Sequence, residues 1–128
     1  MQKKFLLDTD ILINHLRNVD TKTILELSAK GEIFICAITN FEILRGMRKN
    51  EEDKTLPLLQ TIKSLEITKD VAAIAAKYYN IYFKSHDLEL PDIFIAAVAK
   101  FNQLTLVTMN KRHFPMKDIG VILPELEN

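Results

Sequence analysis

Three carboxylates stand out because each lies in or near a segment that follows a short apolar run. Asp8 directly follows Phe5-Leu6-Leu7. Glu42 lies in a helix predicted after Ile33-Phe34-Ile35-Cys36-Ala37. Asp92 stands beside Pro91, ahead of Ile93-Phe94-Ile95-Ala96-Ala97-Val98-Ala99. In open α/β sheets the ligand crevice lies beyond the C-terminal ends of the strands. Carboxylates gathered there repel one another unless a hard cation bridges them. Oxygen-only ligands suit Mg²⁺ or Mn²⁺ rather than Zn²⁺. Such an ion keeps open positions for a phosphate, lowers the pKa of a bound water and stabilises a departing oxygen. That is the chemistry of phosphodiester hydrolysis. Arg45, Arg48, Lys111 and Arg112 are the basic residues placed to hold the rest of a nucleic-acid backbone.

Each acid also has a plainer explanation. Asp8 or Thr9 serves equally well as a helix cap. Thr39 followed by Glu42 reads as a capping box, and for Glu42 alone that is the better reading. Asp10 and Asp92 complement helix dipoles, and Asp10 is assigned to that role. The basic residues equally suit a solvated face. Only the recurrence of acids behind strand ends favours a site. His15, His86 and His113 share no metal-ligand spacing, and structural or surface roles are expected for them. With Gly at 3 residues, no glycine-rich phosphate loop is available.

The elements that must position these residues alternate between strand and helix. Phe5-Leu7 reads as a buried strand, and Thr9–Arg17 carries apolar residues at helical spacing. A second helix is predicted over Thr21–Lys30, with Gly31 as its stop. A strand follows at Ile33–Ala37, then helices from Thr39 to about Lys49 and from Glu51 to Ile62. Leu65-Glu66-Ile67 is a strand candidate, and Thr68 caps a long helix to about Ser85. Pro91 suits the first turn of a helix running to about Phe101. Leu104–Thr108 and Val121–Leu123 complete the strands. Glu125 and Glu127 are expected in a frayed tail. This pattern predicts an α/β fold of three layers, α/β/α, around a mostly parallel sheet, as one domain over residues 1–128.

Composition sets the outer limits. The chain has 128 residues, 48% hydrophobic and 27% charged, enough to bury a full core without staples. Cys36 is the lone cysteine, which excludes an intrachain disulfide and fits a reducing, cytoplasmic setting. No apolar run reaches the roughly 18–20 residues of a membrane span, and no secretory leader is expected. Lys+Arg and Asp+Glu are both 17, so nucleic-acid binding must come from a local patch or a bound metal.

Four stretches resemble the PIN-domain family, and within it the small VapC-type toxins of bacterial and archaeal toxin–antitoxin pairs. Leu6-Leu7-Asp8-Thr9-Asp10-Ile11-Leu12-Ile13 looks like the family's first motif. Ile38-Thr39-Asn40-Phe41-Glu42-Ile43-Leu44-Arg45-Gly46 looks like its second. Leu90-Pro91-Asp92 with the apolar run behind it looks like its third, and Leu104–Phe114 like its fourth. The resemblance implies that Asp8, Glu42 and Asp92 are the catalytic, metal-binding acids of a Mg²⁺- or Mn²⁺-dependent endoribonuclease giving 5′-phosphate and 3′-hydroxyl products. The family often carries a fourth acid after the fourth strand. Here Asn110 takes that position, with Thr9 and Thr108 as further candidate contacts to metal or substrate. The resemblance also implies a homodimer and a small antitoxin whose tail lies in or near the active-site groove. Leu12, Ile13, Leu16 and the Tyr78-Tyr79-Tyr82-Phe83 group are candidate surfaces for these partners, although ordinary core is the better expectation for each.

Three rival readings remain open on the sequence. A haloacid-dehalogenase-type phosphatase would use Asp8 as nucleophile, but leaves Glu42 and Asp92 unexplained. A phospho-receiver domain needs an aspartate closing the central strand, and Leu65-Glu66-Ile67-Thr68 has none. A catalytically inactive PIN-like binding module keeps the fold without the chemistry.

Overall fold

The computed structural model describes residues 2–124. The acidic tail residues Glu125 and Glu127 lie outside the described residues. Five strands, β1 (Lys3–Leu7), β2 (Gly31–Cys36), β3 (Lys63–Leu65), β4 (Thr105–Val107) and β5 (Val121–Ile122), form one sheet in the order β3-β2-β1-β4-β5. Every pairing is parallel, so all five strands end at the same edge. The chain first builds outward from β1 through β2 to β3, then crosses back to add β4 and β5 on the other side. The order therefore reverses between β1 and β4, and a crevice opens beyond their C-terminal ends.

Side chains alternate across the sheet, as the pleat requires. Phe5, Leu7, Ile35 and Val107 face α1 (Thr9–Leu16), α2 (Thr23–Lys30) and α4 (Glu52–Thr61), packing with Ile11, Leu12, Ile24, Leu27 and Ile62. Leu6, Phe34, Cys36 and Leu106 face the opposite layer, α5 (Lys69–Tyr82) and α6 (Leu90–Asn102). Ile43 of α3 (Ala37–Gly46) joins the first cluster. This is the expected three-layer arrangement. Burying a Leu or Ile side chain contributes roughly 1.5–3 kcal/mol, and Leu6, Leu7, Leu12, Ile35 and Leu106 are all at 0% exposure. No helix among the described residues is long and apolar enough to cross a membrane.

Several local expectations are corrected. Gly31 does close α2, as its C-cap with its N–H donating to the Leu27 carbonyl, but not in the left-handed conformation usual for such a glycine. Its φ is −179°, ordinary extended backbone, and it is already the first residue of β2. Glycine is needed there for space, since a Cβ would lie 2.1 Å from the Lys3 carbonyl oxygen across the β1–β2 pairing. The Thr39–Glu42 capping box does not form. The helix begins earlier, at Ala37 with Cys36 as N-cap, and no side chain caps it. Thr39 thereby falls inside the first turn, fully buried, and both side chains are free for other partners. The third strand is Lys63–Leu65 rather than Leu65–Ile67, because Lys63, Ser64 and Leu65 pair with Phe34, Ile35 and Cys36. Pro57 is accommodated inside α4, after a short 3-10 turn at Lys49–Glu51. Thr68 caps α5 as predicted, its hydroxyl accepting from Val71 N at 3.2 Å, but the helix ends at Tyr82.

Candidate active site

β1 and β4 are neighbours, so Asp8 and Thr108 meet although 100 residues separate them. Asp8 N donates to the Val107 carbonyl at 2.9 Å, extending the ladder by one step. The Asp8 side chain then has two fixed partners. Its Oδ1 accepts from Thr9 N at 2.8 Å, so Asp8 does cap α1. Its Oδ2 accepts from the Thr108 hydroxyl at 2.7 Å. Capping and site roles are therefore compatible in one residue, one oxygen serving each. Thr108, at 0% exposure, also accepts from Asn110 N at 3.0 Å, which fixes the turn after β4.

Glu42 reaches the same crevice from α3. Its Oε1 accepts from the Thr9 hydroxyl at 2.6 Å, and Thr9 Oγ1 lies 3.1 Å from Thr39 Oγ1. A hydroxyl has one proton. If Thr9 gives its proton to Glu42, Thr39 must donate to Thr9, making a chain from Thr39 through Thr9 to Glu42. The residues expected to form a capping box thus orient a site acid instead.

Asp92 projects from the first turn of α6, where Pro91 stands at the helix start. Its Oδ2 lies 3.4 Å from His113 Nδ1. His113, expected to be a structural or surface residue, is thus a partner of a site acid. No spacing could have disclosed that contact, because a short 3-10 turn at Lys111–His113 delivers the imidazole from beyond β4.

Asp10 is the residue that sequence reasoning assigned elsewhere. Its carboxylate accepts from Met109 N at 3.3 and 3.4 Å and from Asn110 Nδ2 at 3.0 Å. Asn110 therefore stands where the family often has an acid, and spends its amide on a different acid, Asp10. The available signal was the pair itself, a carboxylate at 10 and an amide at 110, which makes sense only once β1 and β4 are adjacent.

Electrostatics link the four acids. Burial pushes Asp8 up from 3.8 to about 7; the charges of Asp10 and Asp92 add to this, while the Thr108 and Thr9 hydrogen bonds oppose it. Burial likewise raises Asp92 to about 6, with Glu89, Glu42 and Asp10 pushing the same way and His113 pulling it down. Asp10 is raised by burial, against the hydrogen bonds from Met109 and Asn110. Carboxylates that raise one another in a partly buried crevice favour protonation or a cation. Among the described residues, no three His, Cys, Asp or Glu side chains are arranged to hold a metal ion as they stand. The acids are each engaged with an internal donor or with His113 instead.

The predicted basic residues divide. Lys111 and Arg112 lie in the turn directly after Asn110, exposed at the crevice side of β4. Arg45 lines a cavity that also borders Thr9 and Glu42, and its guanidinium lies 5.6 Å from the Phe41 ring centroid. Arg48 caps the 3-10 turn ahead of α4, its backbone N–H donating to Glu51 Oε1 at 2.8 Å. Of the proposed partner surfaces, Leu12 and Tyr78 are buried core, while Tyr79 and Phe83 are exposed and stack on each other with centroids 5.1 Å apart.

The Asp10–Asn110 contact makes a direct prediction. Asn110→Asp replaces a donor by a second carboxylate at 3.0 Å. In EDTA at pH 8 the thermal midpoint should fall, by about 1–2 kcal/mol of stability for a like-charge contact with lost hydrogen bonding. The exchanged double variant Asp10→Asn with Asn110→Asp should recover most of that loss, and a double-mutant cycle reads the coupling. Additive losses would show that the two side chains do not depend on each other.

A parallel sheet of this order between two helical layers, with acids at its switch point, defines a three-layer α/β class. Residues 5–119 match the family model described as the PIN domain. The chain belongs to the PIN-domain family. Among its relatives, Ribonuclease VapC10 of Mycobacterium tuberculosis is 35% identical over 114 residues, covering 87% of this chain and 86% of that protein. Ribonuclease VapC19 of the same organism is 34% identical over 115 residues, covering 87% and 92%. Among solved structures, a toxin–antitoxin complex from Klebsiella pneumoniae aligns with a TM-score of 0.75 at 31% identity, covering 91% of this chain and 94% of that one. VapBC2 from Rickettsia felis, bound to a promoter DNA fragment, aligns with a TM-score of 0.82 over 94% and 98% of the two chains; at 18% identity this speaks for the fold alone.

Proposed function

We propose that this protein is an endoribonuclease, the toxin of a toxin–antitoxin pair, and that it hydrolyses RNA with Mg²⁺ or Mn²⁺ held by Asp8, Glu42 and Asp92. The observation that carries the reading is the convergence of these acids, with Asp10, at the switch point of a PIN-domain sheet, where burial, aided by neighbouring carboxylates, raises the pKa of Asp8 and of Asp92. The donor set suits a hard divalent ion, being oxygen only and too negative to be comfortable alone. For the acids to take up such an ion, Glu42 has to give up Thr9 and Asp92 has to give up His113. When bound, the ion supplies an activated water and neutralises the charge that develops at phosphorus.

The chain's own residues do the rest. Thr108 and Thr9 N hold Asp8 in one orientation. Asn110 and Met109 N hold Asp10 beside it, adding a fourth negative charge in place of the acid that the family often has at the Asn110 position. Lys111 and Arg112 on one side, with Arg45 and Arg48 on the other, bind flanking phosphates. One of the site carboxylates takes the proton of the attacking water. The water oxygen bonds to phosphorus and the bond to the 3′ oxygen breaks; that oxygen takes a proton from solvent, leaving a 5′-phosphate and a 3′-hydroxyl.

The proposed partners are RNA as substrate, a small antitoxin protein, and a second copy of the chain in a homodimer acting in the cytoplasm. The antitoxin is supported by the complexes among the structural relatives. The test is cleavage of labelled single-stranded RNA by protein freed of any partner, with Mg²⁺, with Mn²⁺ and with EDTA. Cleavage that depends on the ion is expected. Cleavage that persists in EDTA would overturn the metal-dependent reading. A protein that binds Mn²⁺ yet cuts no RNA under any condition would favour an inactive binding module.

A further inference from the structure

A cavity of about 320 Å³ opens beside the acid site, and the reaction proposed above does not use it. It falls within the roughly 300–1,000 Å³ of small-molecule sites. Thr9 and Glu42 form its end nearest the acids, and it runs between α1, the end of α3 and the start of α4. Ile13, Leu16, Ile43 and Met47 give it apolar walls. Two further polar groups line it, Glu51 at the surface and Thr55 within. The Glu51 carboxylate is held by Arg17 Nε at 3.1 Å to Oε2 and by Arg48 N at 2.8 Å to Oε1, which leaves acceptor capacity on Oε2. Thr55 is 2% exposed and lines the cavity, yet its hydroxyl has no hydrogen bond among the described residues. The hydroxyl is not among the fully buried unsatisfied atoms, so it meets the cavity space and is free to bond an atom placed there.

We propose that this cavity receives one unpaired base of the RNA, the base adjacent to the linkage that is cut. The inference rests on the ribonuclease reading and names a substrate subsite for it. Its geometry follows from continuity. The cavity begins at Glu42 and Thr9, so its occupant is joined to whatever lies at the acids, and a nucleotide carries its base about one sugar away from its phosphate. Apolar walls suit the face of a base, and sequence-specific RNA recognition takes bases that are splayed out of the stack. An acceptor at Glu51 and a hydroxyl at Thr55 suit the N–H and carbonyl groups on a base edge, while Arg45 at the rim suits the next phosphate. A protein side chain of the antitoxin is the competing occupant. The unpartnered hydroxyl and the shared wall with the acids favour the base.

Two variants and one altered substrate test this. Gly46 borders the cavity, and a Cβ added there meets nothing within 4 Å, so Gly46→Phe introduces bulk without a backbone clash. Thr55→Val keeps the shape and removes the hydroxyl, which guards against Gly46→Phe failing to fold. Cleavage sites of the wild type on a single-stranded RNA pool are sequenced to find the favoured base beside the cut, and an RNA with an abasic residue at that position is made. The wild type should show a KM at least roughly tenfold higher for the abasic RNA. Gly46→Phe should raise KM by a similar factor on intact RNA, keep kcat within about threefold, and no longer distinguish intact from abasic substrate. Thr55→Val should weaken the base preference about tenfold, the loss of one good hydrogen bond. Equal KM for all three proteins and both RNAs would overturn the proposal while leaving the ribonuclease reading intact. So would a Gly46→Phe protein that loses only antitoxin binding. If the wild type cuts no RNA, the ribonuclease reading fails first. The base site is then judged by fluorescence anisotropy of labelled RNA in EDTA, where equal binding by wild type and Gly46→Phe overturns it.

Discussion

Asp8→Asn and Asp92→Asn should each lower RNA cleavage by at least roughly a thousandfold, about 4 kcal/mol of transition-state stabilisation. The shape of the side chain is kept and its charge is lost. Asp8 sits at the centre of the sheet edge, held by Thr9 N and the Thr108 hydroxyl, and an asparagine retains a partner for one of these. The fold should therefore persist, and circular dichroism should show unchanged helix content. What disappears is the negative charge that would draw a divalent ion and balance it. Removing an Asp8 charge should also weaken Mn²⁺ binding measured by calorimetry. Asp10→Asn separates the roles further. It removes a neighbouring charge but leaves the three acids, so its loss should be smaller than either. With a wild type that cleaves RNA, wild-type rates in both Asp8→Asn and Asp92→Asn would sink the assignment of the site.

The second large effect concerns stability without the metal. In EDTA the protein should lose stability as pH rises from about 4 to 8. Asp8 has a folded pKa of about 7 against 3.8 when unfolded. The folded state therefore holds its proton more tightly, so the stabilising contribution is complete below pH 4 and is lost as pH rises through 7. At 1.36 kcal/mol per pKa unit the shift of Asp8 corresponds to about 4 kcal/mol. Asp92, raised to about 6, adds to the same trend, though the two share part of their mutual repulsion. Asp8→Asn cannot titrate and should flatten the curve. At pH 8 in EDTA its thermal midpoint should exceed that of the wild type by on the order of 8 °C, after allowing for the weakened Thr108 contact. Near pH 4 that advantage should vanish. Mg²⁺ should raise the wild-type midpoint at pH 8 and leave Asp8→Asn nearly unmoved. A wild type whose stability is flat between pH 5 and 8 would show that the acids do not strain the empty site.

The layer architecture was legible in the local sequence, and so were Asp8 and Glu42 as acids that follow strand ends. The β–α alternation is local. Apolar runs such as Phe5-Leu6-Leu7 and helical stripes such as that of α5 depend on neighbouring residues, and they specify elements without knowledge of the fold. Asp8 and Glu42 follow β1 and β2 in the chain, which is a local feature, whereas Asp92 does not follow a strand as expected: α6 comes after α5, and only tertiary packing brings its first turn to the crevice.

Contacts between distant segments set the partners. Asp10 looked like a helix-dipole residue because its neighbours in sequence are a helix start. Its site role depends on Met109 and Asn110, which arrive only when β4 pairs with β1. His113 reaches Asp92, and Thr108 reaches Asp8, by the same pairing of distant segments. The Thr39–Glu42 spacing suited a capping box, but burial of Thr39 against Thr9 outweighed the cap and turned both residues toward the crevice. Gly31 was legible as a punctuation residue, while its reason, the Lys3 carbonyl across the sheet, was not. In each case local chemistry offered two uses for a side chain. The choice fell to contacts between segments far apart in the chain, because those contacts determine which polar groups are buried and must be paired.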